Sequence, residues 1–462
     1  MKTLSLALRN LLRNRRRSAT TLLAMLIGAI TILIFGGYSR NITYSLQTAF
    51  VLRSGHLQIQ RKDYFLYGTG NPAAYGIKDY PRIIEAVRRD PVLAPMLTVV
   101  TPVISLGGIA GNFAAGVSRT VVGSGVVVED RLKMRQWNDY GLKLNLPPFA
   151  LAGTPADAAV VGLGVARVLE LCQPLGVPEC VRSAPADVPA GKGAPADVAE
   201  LAALEAKSAP ASGEARIELL AATAHGAPNV ASLRVVKAER QGFKELDDMF
   251  VGMHLAQAQR LIYGSETPEA TAVALQLRHT SQIPAAKARL AELLGTTLKG
   301  EPLEVQDFEA LNPFYGQAVG MFAAIFGFMA VLIGAIVLFT VSNTMSMAVV
   351  ERTVEIGTLR AMGLRRAGIR RLFVCEGLLL GILGTAAGVL VSFGLAWLIN
   401  HSGLTWLPPG QVDPVPLNVR VWGETRLIAF TAIGLSLVAV VSAWWPARRA
   451  ARMVVVEALR HV

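Results

Sequence analysis

Residues 317–341 read QAVGMFAAIFGFMAVLIGAIVLFTV, a run without a single charged residue. A helix needs about 20 such residues to cross the hydrocarbon core of a membrane. Three further blocks, at 18–38, 375–399 and 427–445, have the same character, and none of the four contains Lys, Arg or Asp. One such charge at mid-bilayer costs about 2.5–3.5 kcal/mol on insertion scales. The sequence therefore predicts four transmembrane helices rather than buried helices of a soluble core.

The composition supports this prediction and orients the chain. With 52% apolar residues, a mean hydropathy of +0.43 and 17% charged residues, the 462-residue chain differs from soluble proteins. Its net charge of +12 is concentrated in residues 2–17, 352–371 and 448–460. By the positive-inside rule, residues 1–17, the connection 342–374 and the tail 446–462 are cytoplasmic, whereas 39–316 and the loop 400–426 lie outside. Charge divided so regularly between spans argues against nucleic-acid binding.

The N-terminal segment resembles a secretory signal only superficially. Its apolar run exceeds the usual 7–15 residues and ends without a small-x-small cleavage site, so we expect an uncleaved anchor. Before it, leucines recur at helical spacing among basic residues. Residues 1–17 therefore predict an amphipathic helix lying on the inner leaflet.

The outside region is long enough to fold into a domain of its own. Alternation of β-rich and helical segments predicts an α+β domain over 39–316. A Pro- and Ala-rich insertion interrupts it at about 174–213. Cys172 and Cys180 lie close together in a compartment that permits oxidation, so we expect a disulfide between them. The absence of a His cluster in the sequence makes a metal site improbable.

Two patterns bear on nucleotide chemistry. Residues 160–167, VVGLGVAR, look like a strand, a Gly-x-Gly turn and a helix, but the third Gly and the acidic ribose-binding residue are missing. We interpret the segment as structural. The sequence also lacks a phosphate-binding loop of the Gly-x-x-x-x-Gly-Lys-Ser/Thr type, so we expect no ATP hydrolysis, and no cofactor, in this chain.

The third predicted span contains glycines at helical contact spacing: Gly377, Gly381, Gly384 and Gly388. Small residues let helix backbones approach closely, so we expect tight packing of this span. Glu376 is the one acid near a span, and its place at the cytoplasmic end favours a solvated or snorkelling side chain.

The coupling segment, residues 342–374, carries the strongest functional pattern. Glu351 and Glu355 lie four residues apart and share one face of a predicted helix, while Ile356 and Leu359 offer an apolar edge. The helix is expected to end at Gly363. Such a helix is either a docking element for a soluble partner or a solvated connector, and the residues alone fit both.

The segment Glu351–Gly363, ERTVEIGTLRAMG, resembles the Glu-Arg-x-x-Glu-Ile-Gly-x-Leu-Arg-Ala-x-Gly signature of the FtsX/MacB-type (type VII) ABC permeases. The C-terminal run 446–460 is similar to that family's terminus, although Val455 stands where the family has Pro. Four outside pieces, at 54–59, 161–166, 246–259 and 311–315, resemble the LolC/LolE lipoprotein-releasing branch.

The resemblance implies a permease that works by mechanotransmission at the bacterial inner membrane, with a periplasmic main domain. The first implied partner is a dimer of ABC ATPase subunits, and these subunits bind ATP and Mg. The other implied partners are a second permease copy or paralogue and a periplasmic carrier or adaptor. The implied ATPase-coupling residues are Glu351, Arg352, Glu355, Ile356, Gly357, Leu359, Arg360 and Gly363. The expected cargo is lipoprotein or another lipid-anchored molecule. Two alternatives stay open: signalling to periplasmic cell-wall hydrolases, and tripartite efflux of small molecules or peptides.

Overall fold

A computed structural model describes residues 2–13, 15–113, 115–144, 146–177, 214–407 and 414–455. These residues divide into two compact units. The first comprises residues 1–45, 314–406 and 415–462 and is referred to as the membrane unit; the second comprises 46–313 and 407–414 and is referred to as the sheet unit. Most of the predicted insertion, including Cys180, lies outside the described residues.

The helices follow one another in this order: α1 (Lys2–Arg13), α2 (Arg15–Ser54), α3 (Tyr64–Tyr67), α4 (Tyr80–Arg89), α5 (Val128–Met134), α6 (Leu163–Val168), α7 (Cys172–Leu175), α8 (Lys244–Asp247), α9 (Leu255–Tyr263), α10 (Ile283–Thr296), α11 (Phe308–Leu311), α12 (Pro313–Glu351), α13 (Thr353–Ala361), α14 (Arg366–His401) and α15 (Thr425–Arg452). The strands are β1 (Leu57–Arg61), β2 (Leu97–Asn112), β3 (Val117–Val126), β4 (Ala158–Gly162), β5 (Arg216–Ala222), β6 (Pro228–Glu239), β7 (Phe250–His254), β8 (Ala272–Leu277), β9 (Leu303–Asp307), β10 (Thr405–Trp406) and β11 (Val415–Pro416).

In the membrane unit, four of the described helices are long and apolar enough to cross a membrane: α2, α12, α14 and α15. They contain the four apolar blocks of the sequence. Helices α2 and α12 have 40 and 39 residues, which corresponds to about 60 Å at 1.5 Å per residue. That length is about twice the thickness of the hydrocarbon core, so both helices extend well beyond it.

The core of the membrane unit is built where these helices meet. Buried residues of α2, α12, α14 and α15 form one cluster, and α13 adds Ile356 to it. Phe35 on α2 stacks on Phe326 on α12, with ring centroids 6.3 Å apart. Much of the apolar surface of α12 is left uncovered within the chain, as Val331 and Phe339 are each 73% exposed. Such side chains are suited to contact lipid.

The sheet unit is built around nine strands in the order β3-β7-β4-β6-β5-β2-β8-β1-β9. The 16-residue strand β2 also pairs with β3, so the six strands from β3 to β2 close into a ring. One apolar cluster joins the strands of this ring with α6 and α9, and it includes Leu106, Val161, Leu219 and Met253. A second cluster packs α4 and α10 against β1 and β8. The predicted α+β domain therefore exists as a sheet-rich unit with its own core.

Candidate coupling site at the α12–α13 junction

The coupling segment is a short helix set off by two interruptions. Helix α12 ends at Glu351 and α13 begins at Thr353, because Arg352 between them departs from helical geometry, with φ −103° and ψ 19°. At the other end Gly363 has φ +97°, a conformation that favours glycine. The Gly363 and Leu364 N–H groups donate to the carbonyls of Arg360 and Leu359, both at 3.0 Å, and these bonds satisfy the end of the helix.

Helix α13 has a buried face and an exposed face. Thr353, Ile356 and Gly357 are buried against the membrane unit, and Leu359 is partly buried there. The sequence predicted an apolar edge of Ile356 and Leu359, and the structure turns this edge inward, with Ile356 only 3% exposed. Among the large apolar side chains, Val354 reaches the surface, and so do Met362 and Leu364 just after α13.

The two acids of the coupling segment are exposed and paired with basic residues near the N-terminus. Glu355 forms an ion pair with Arg13 on α1, at 2.5 Å, and Glu351 pairs with Arg17 on α2. Exposed pairs of this kind are worth about 0–1 kcal/mol. The carboxylates are therefore held in place without being withdrawn from solvent, and a stronger cationic partner can displace the arginines.

Arg360 at the end of α13 does not face solvent as the acids do. Its Nη1 donates to the carbonyl oxygens of Met453, at 2.5 Å, and Ala451, at 3.4 Å. These are carbonyls at the C-terminal end of α15, where a cation is also favoured by the helix dipole. Arg360 thus fixes α13 to the last membrane-length helix.

Behind α13 lies a buried polar junction that we define as Asn10, Arg352 and Glu376. Arg352 Nη1 donates to Glu376 Oε1 at 3.0 Å, and Arg352 Nη2 donates to the Asn10 carbonyl at 3.3 Å. The Asn10 side-chain amide donates to Glu376 Oε1 at 2.6 Å. The side chains of Arg352 and Glu376 are 8% and 3% exposed.

This junction corrects the expectation that Glu376 is solvated or snorkelling. The residue lies at the cytoplasmic end of α14 as expected, but it faces inward and is paired. Sequence reasoning missed the pairing because Asn10 and Glu376 are 366 residues apart. The available signal was the presence of a single acid in an otherwise uncharged span, since such acids are usually paired.

The four glycines of α14 lie where it contacts two neighbouring helices. A methyl group built on Gly377 would lie 2.6 Å from Ala443 Cβ on α15, and Gly381 lies against Ser436 and Ala439 of the same helix. Gly384 and Gly388 face α2, where a built methyl group would lie 2.5 Å from Met25 Cβ and Ala29 Cβ respectively. These distances are shorter than ordinary carbon contacts of about 3.5–4.0 Å.

The Gly-x-Gly segment of the sheet unit has a packing explanation. A methyl group on Gly162 would lie 2.2 Å from the Asp247 carbonyl oxygen, and one on Gly164 would lie 2.0 Å from Asp248 Oδ1. Both glycines are therefore required by the close approach of residues 247–248.

The disulfide and the absence of a metal site stay predictions. The expected bond from Cys172 to Cys180 has its second partner outside the described residues. Within the described residues, His, Cys, Asp and Glu form no group of three or more that could hold a metal ion.

Four membrane-length apolar helices and a sheet-rich unit are the architecture of a membrane protein. Residues 324–455 match the FtsX-like permease C-terminal family. This range contains α13, the junction residues Arg352 and Glu376, and the four glycines. The chain thus carries an FtsX-like permease domain, and the family resemblance seen in the sequence is confirmed.

Curated relatives agree with this assignment. The chain is 29% identical over 244 residues to the lipoprotein-releasing system transmembrane protein LolC of Neisseria meningitidis, covering 51% of this chain and 56% of LolC. It is 36% identical over 158 residues to the ABC transporter permease YtrF of Bacillus subtilis, covering 34% and 35%. It is 30% identical over 193 residues to the macrolide export ATP-binding/permease protein MacB of Hyphomonas neptunium, covering 41% and 27%. The chain therefore spans 56% of the length of LolC and smaller shares of YtrF and MacB.

Proposed function

We propose that this chain is the transmembrane subunit of an ABC transporter at the bacterial inner membrane, with both termini cytoplasmic and the sheet unit periplasmic. Separate ATPase subunits bind ATP and Mg and dock on the exposed face of α13. The observation that carries this proposal is that face: Glu351, Val354, Glu355 and Met362 are all exposed within the segment that carries the family signature.

The long helices suit mechanotransmission. Helices α2 and α12 each run without interruption from the membrane unit to the boundary of the sheet unit. A displacement at their cytoplasmic ends is therefore carried along continuous hydrogen-bonded backbone. The spans also lack the intramembrane charges of a polar conduit, apart from the paired Glu376. Cargo is accordingly acted on from the outside rather than conducted between the helices.

The cargo that we propose is lipoprotein or another lipid-anchored molecule. The support is the match to LolC, which covers 51% of this chain and so reaches beyond the family domain. The match to MacB, named for macrolide export, favours efflux of small molecules as the second candidate. A second permease copy or paralogue completes the transporter, and a periplasmic carrier or adaptor receives the cargo. Cross-linking of the intact complex in cells, followed by identification of the bound periplasmic molecules, distinguishes lipid-anchored cargo from small molecules.

A charge-reversal experiment tests the docking face. Glu351→Lys and Glu355→Lys together place like charges against the cationic or amide groups that a partner offers there, which can cost several kcal/mol at an interface. We expect normal abundance of the permease but loss of ATPase co-purification. Membrane insertion is preserved because the cytoplasmic segment only becomes more positive.

The matched control separates docking from the internal ion pairs. Arg13→Gln with Arg17→Gln breaks the same two pairs but leaves both acids in place. This control is expected to keep the ATPase bound. If the charge-reversed protein still binds the ATPase and supports hydrolysis, the segment is only a connector and the proposal is wrong.

A further inference from the structure

We propose that Arg352 and Glu376 are positioning residues that make α13, α14 and α1 move as one body, so that displacement of the docked helix reaches the membrane-length helices. This inference rests on the proposed function and adds residues that do not contact the ATPase. It concerns the transmission of movement after docking, not docking itself.

The backbone around Arg352 is the first reason. Residue 352 is the one interruption between α12 and α13, and a bend at that point would let α13 tilt independently of α12. Its side chain is directed away from the exposed acids and into the junction. The break therefore lies at a residue whose side chain is buried and bonded to two other helices.

The three-element geometry is the second reason. Glu376 belongs to α14 and Asn10 to α1, so the guanidinium of Arg352 joins the α12–α13 break to two other helices at once. Glu376 Oε1 accepts from both Arg352 and Asn10. Because one carboxylate oxygen serves both donors, displacement of any one element strains the contacts of the other two.

Burial makes this connection stiff. Removing one partner of a buried ion pair leaves an uncompensated charge in a low-dielectric environment, which is strongly unfavourable. The pairs Arg13–Glu355 and Arg17–Glu351 have exposed carboxylates and therefore a smaller penalty, so they can exchange partners. The surface contacts are thus free to rearrange when the ATPase docks, while the junction behind them stays closed.

The test uses the complete transporter in lipid nanodiscs with its ATPase, and measures ATPase co-purification and permease-dependent ATP hydrolysis separately. Glu376→Gln preserves the shape of the side chain and removes the charge. We expect co-purification to stay near the wild-type level. Permease-dependent hydrolysis should fall about tenfold, within the range typical of coupling between two sites. Thr385→Val is the matched control, because Thr385 is a buried polar residue of α14 whose hydroxyl, within the described part of the chain, bonds to its own helix at the Gly381 and Ile382 carbonyls.

Three further variants exclude a general folding defect. Glu376→Asp keeps the charge and should recover part of the lost hydrolysis. Asn10→Ala removes one hydrogen bond without stranding a charge, so it should give a smaller loss at normal abundance. Glu376→Gln combined with Arg352→Gln should lose no more than the worse single variant, because both act through one contact.

Two outcomes overturn the inference. One is hydrolysis in Glu376→Gln equal to that of Thr385→Val. The other is loss of hydrolysis only in proportion to loss of bound ATPase, since the residue would then act on docking or folding. Failure of the wild-type chain to bind any ATPase would instead contradict the proposed function, which keeps the two claims separate.

Discussion

Replacement of Gly388 by alanine is the sharpest test of the helix packing. Its added Cβ would lie 2.5 Å from Ala29 Cβ and 3.1 Å from the Leu26 carbonyl oxygen on α2. Ordinary carbon contacts are about 3.5–4.0 Å, so α14 and α2 must separate by about 1 Å. Neither a methyl group nor a carbonyl can rotate away. Overpacking of this kind costs about 1–3 kcal/mol.

Gly394→Ala on the same helix is the matched control. Among the described residues, and apart from its own helix backbone and chain neighbours, no heavy atom lies within 4 Å of a methyl group built at Gly394, so the substitution introduces no clash. Alanine is favoured over glycine in a helix by up to about 1 kcal/mol, and Gly394→Ala should therefore be neutral or stabilising. The two alanine variants thus have opposite expected effects, although they make the same chemical change in one helix.

The assay is thermal unfolding of the full chain in detergent, followed by a thiol-reactive fluorescent dye. Cys375, the free cysteine among the described residues, lies on α14 and is only partly exposed, so it reports opening of the membrane unit. We expect Gly388→Ala to melt at a lower temperature than the wild type, and Gly394→Ala at an equal or higher one. Equal melting temperatures for the two variants would refute the close approach of α14 to α2.

Three further predictions concern the sheet unit and the topology. Burial lowers the pKa of His56 from 6.5 to about 4, so its neutral form is favoured in the folded state. Stability should be full above about pH 6.5, fall by about 3 kcal/mol as the pH decreases from 6.5 to 4, and level off below 4; His56→Gln should remove this part of the pH dependence in thermal melts. In intact cells, an impermeant thiol reagent should label Ser208→Cys but not Ser346→Cys. Labelling of Ser346→Cys from outside would contradict the predicted topology. Cys172 and Cys180 should resist alkylation in unfolded, non-reduced protein, and reaction of both thiols would exclude their disulfide.

The elements that sequence predicted well are those whose signal is local. The four apolar blocks correspond to membrane-length helices because hydropathy over about 20 residues depends on no distant partner. The β-rich character of the outside region is also local, and β2 and β3 lie within that region. The continuation of α2 from residue 39 to Ser54 was not predicted, because its polar residues lack the apolar pattern used to define the span.

The contacts of the candidate site could not be predicted in the same way. The acids Glu351 and Glu355 were found from their spacing, but their partners Arg13 and Arg17 lie more than 300 residues earlier. The buried state of Glu376 depends on Arg352 and Asn10, which come from two other helices. Tertiary packing decided the orientation of Ile356, since a helix of nine residues has apolar side chains on more than one face.

The most direct test of the proposed function is site-specific photo-cross-linking in living cells. Met362, which is 71% exposed just after α13, is replaced by a photoreactive amino acid, and Phe339, which is 73% exposed within the apolar block of α12, serves as the control position. After irradiation, the permease is purified and its covalent partners are identified. We predict an adduct with an ABC ATPase from position 362 and none from position 339. An efficient adduct from position 362 with a different protein, or no ATPase adduct although both proteins are abundant, would contradict docking on α13.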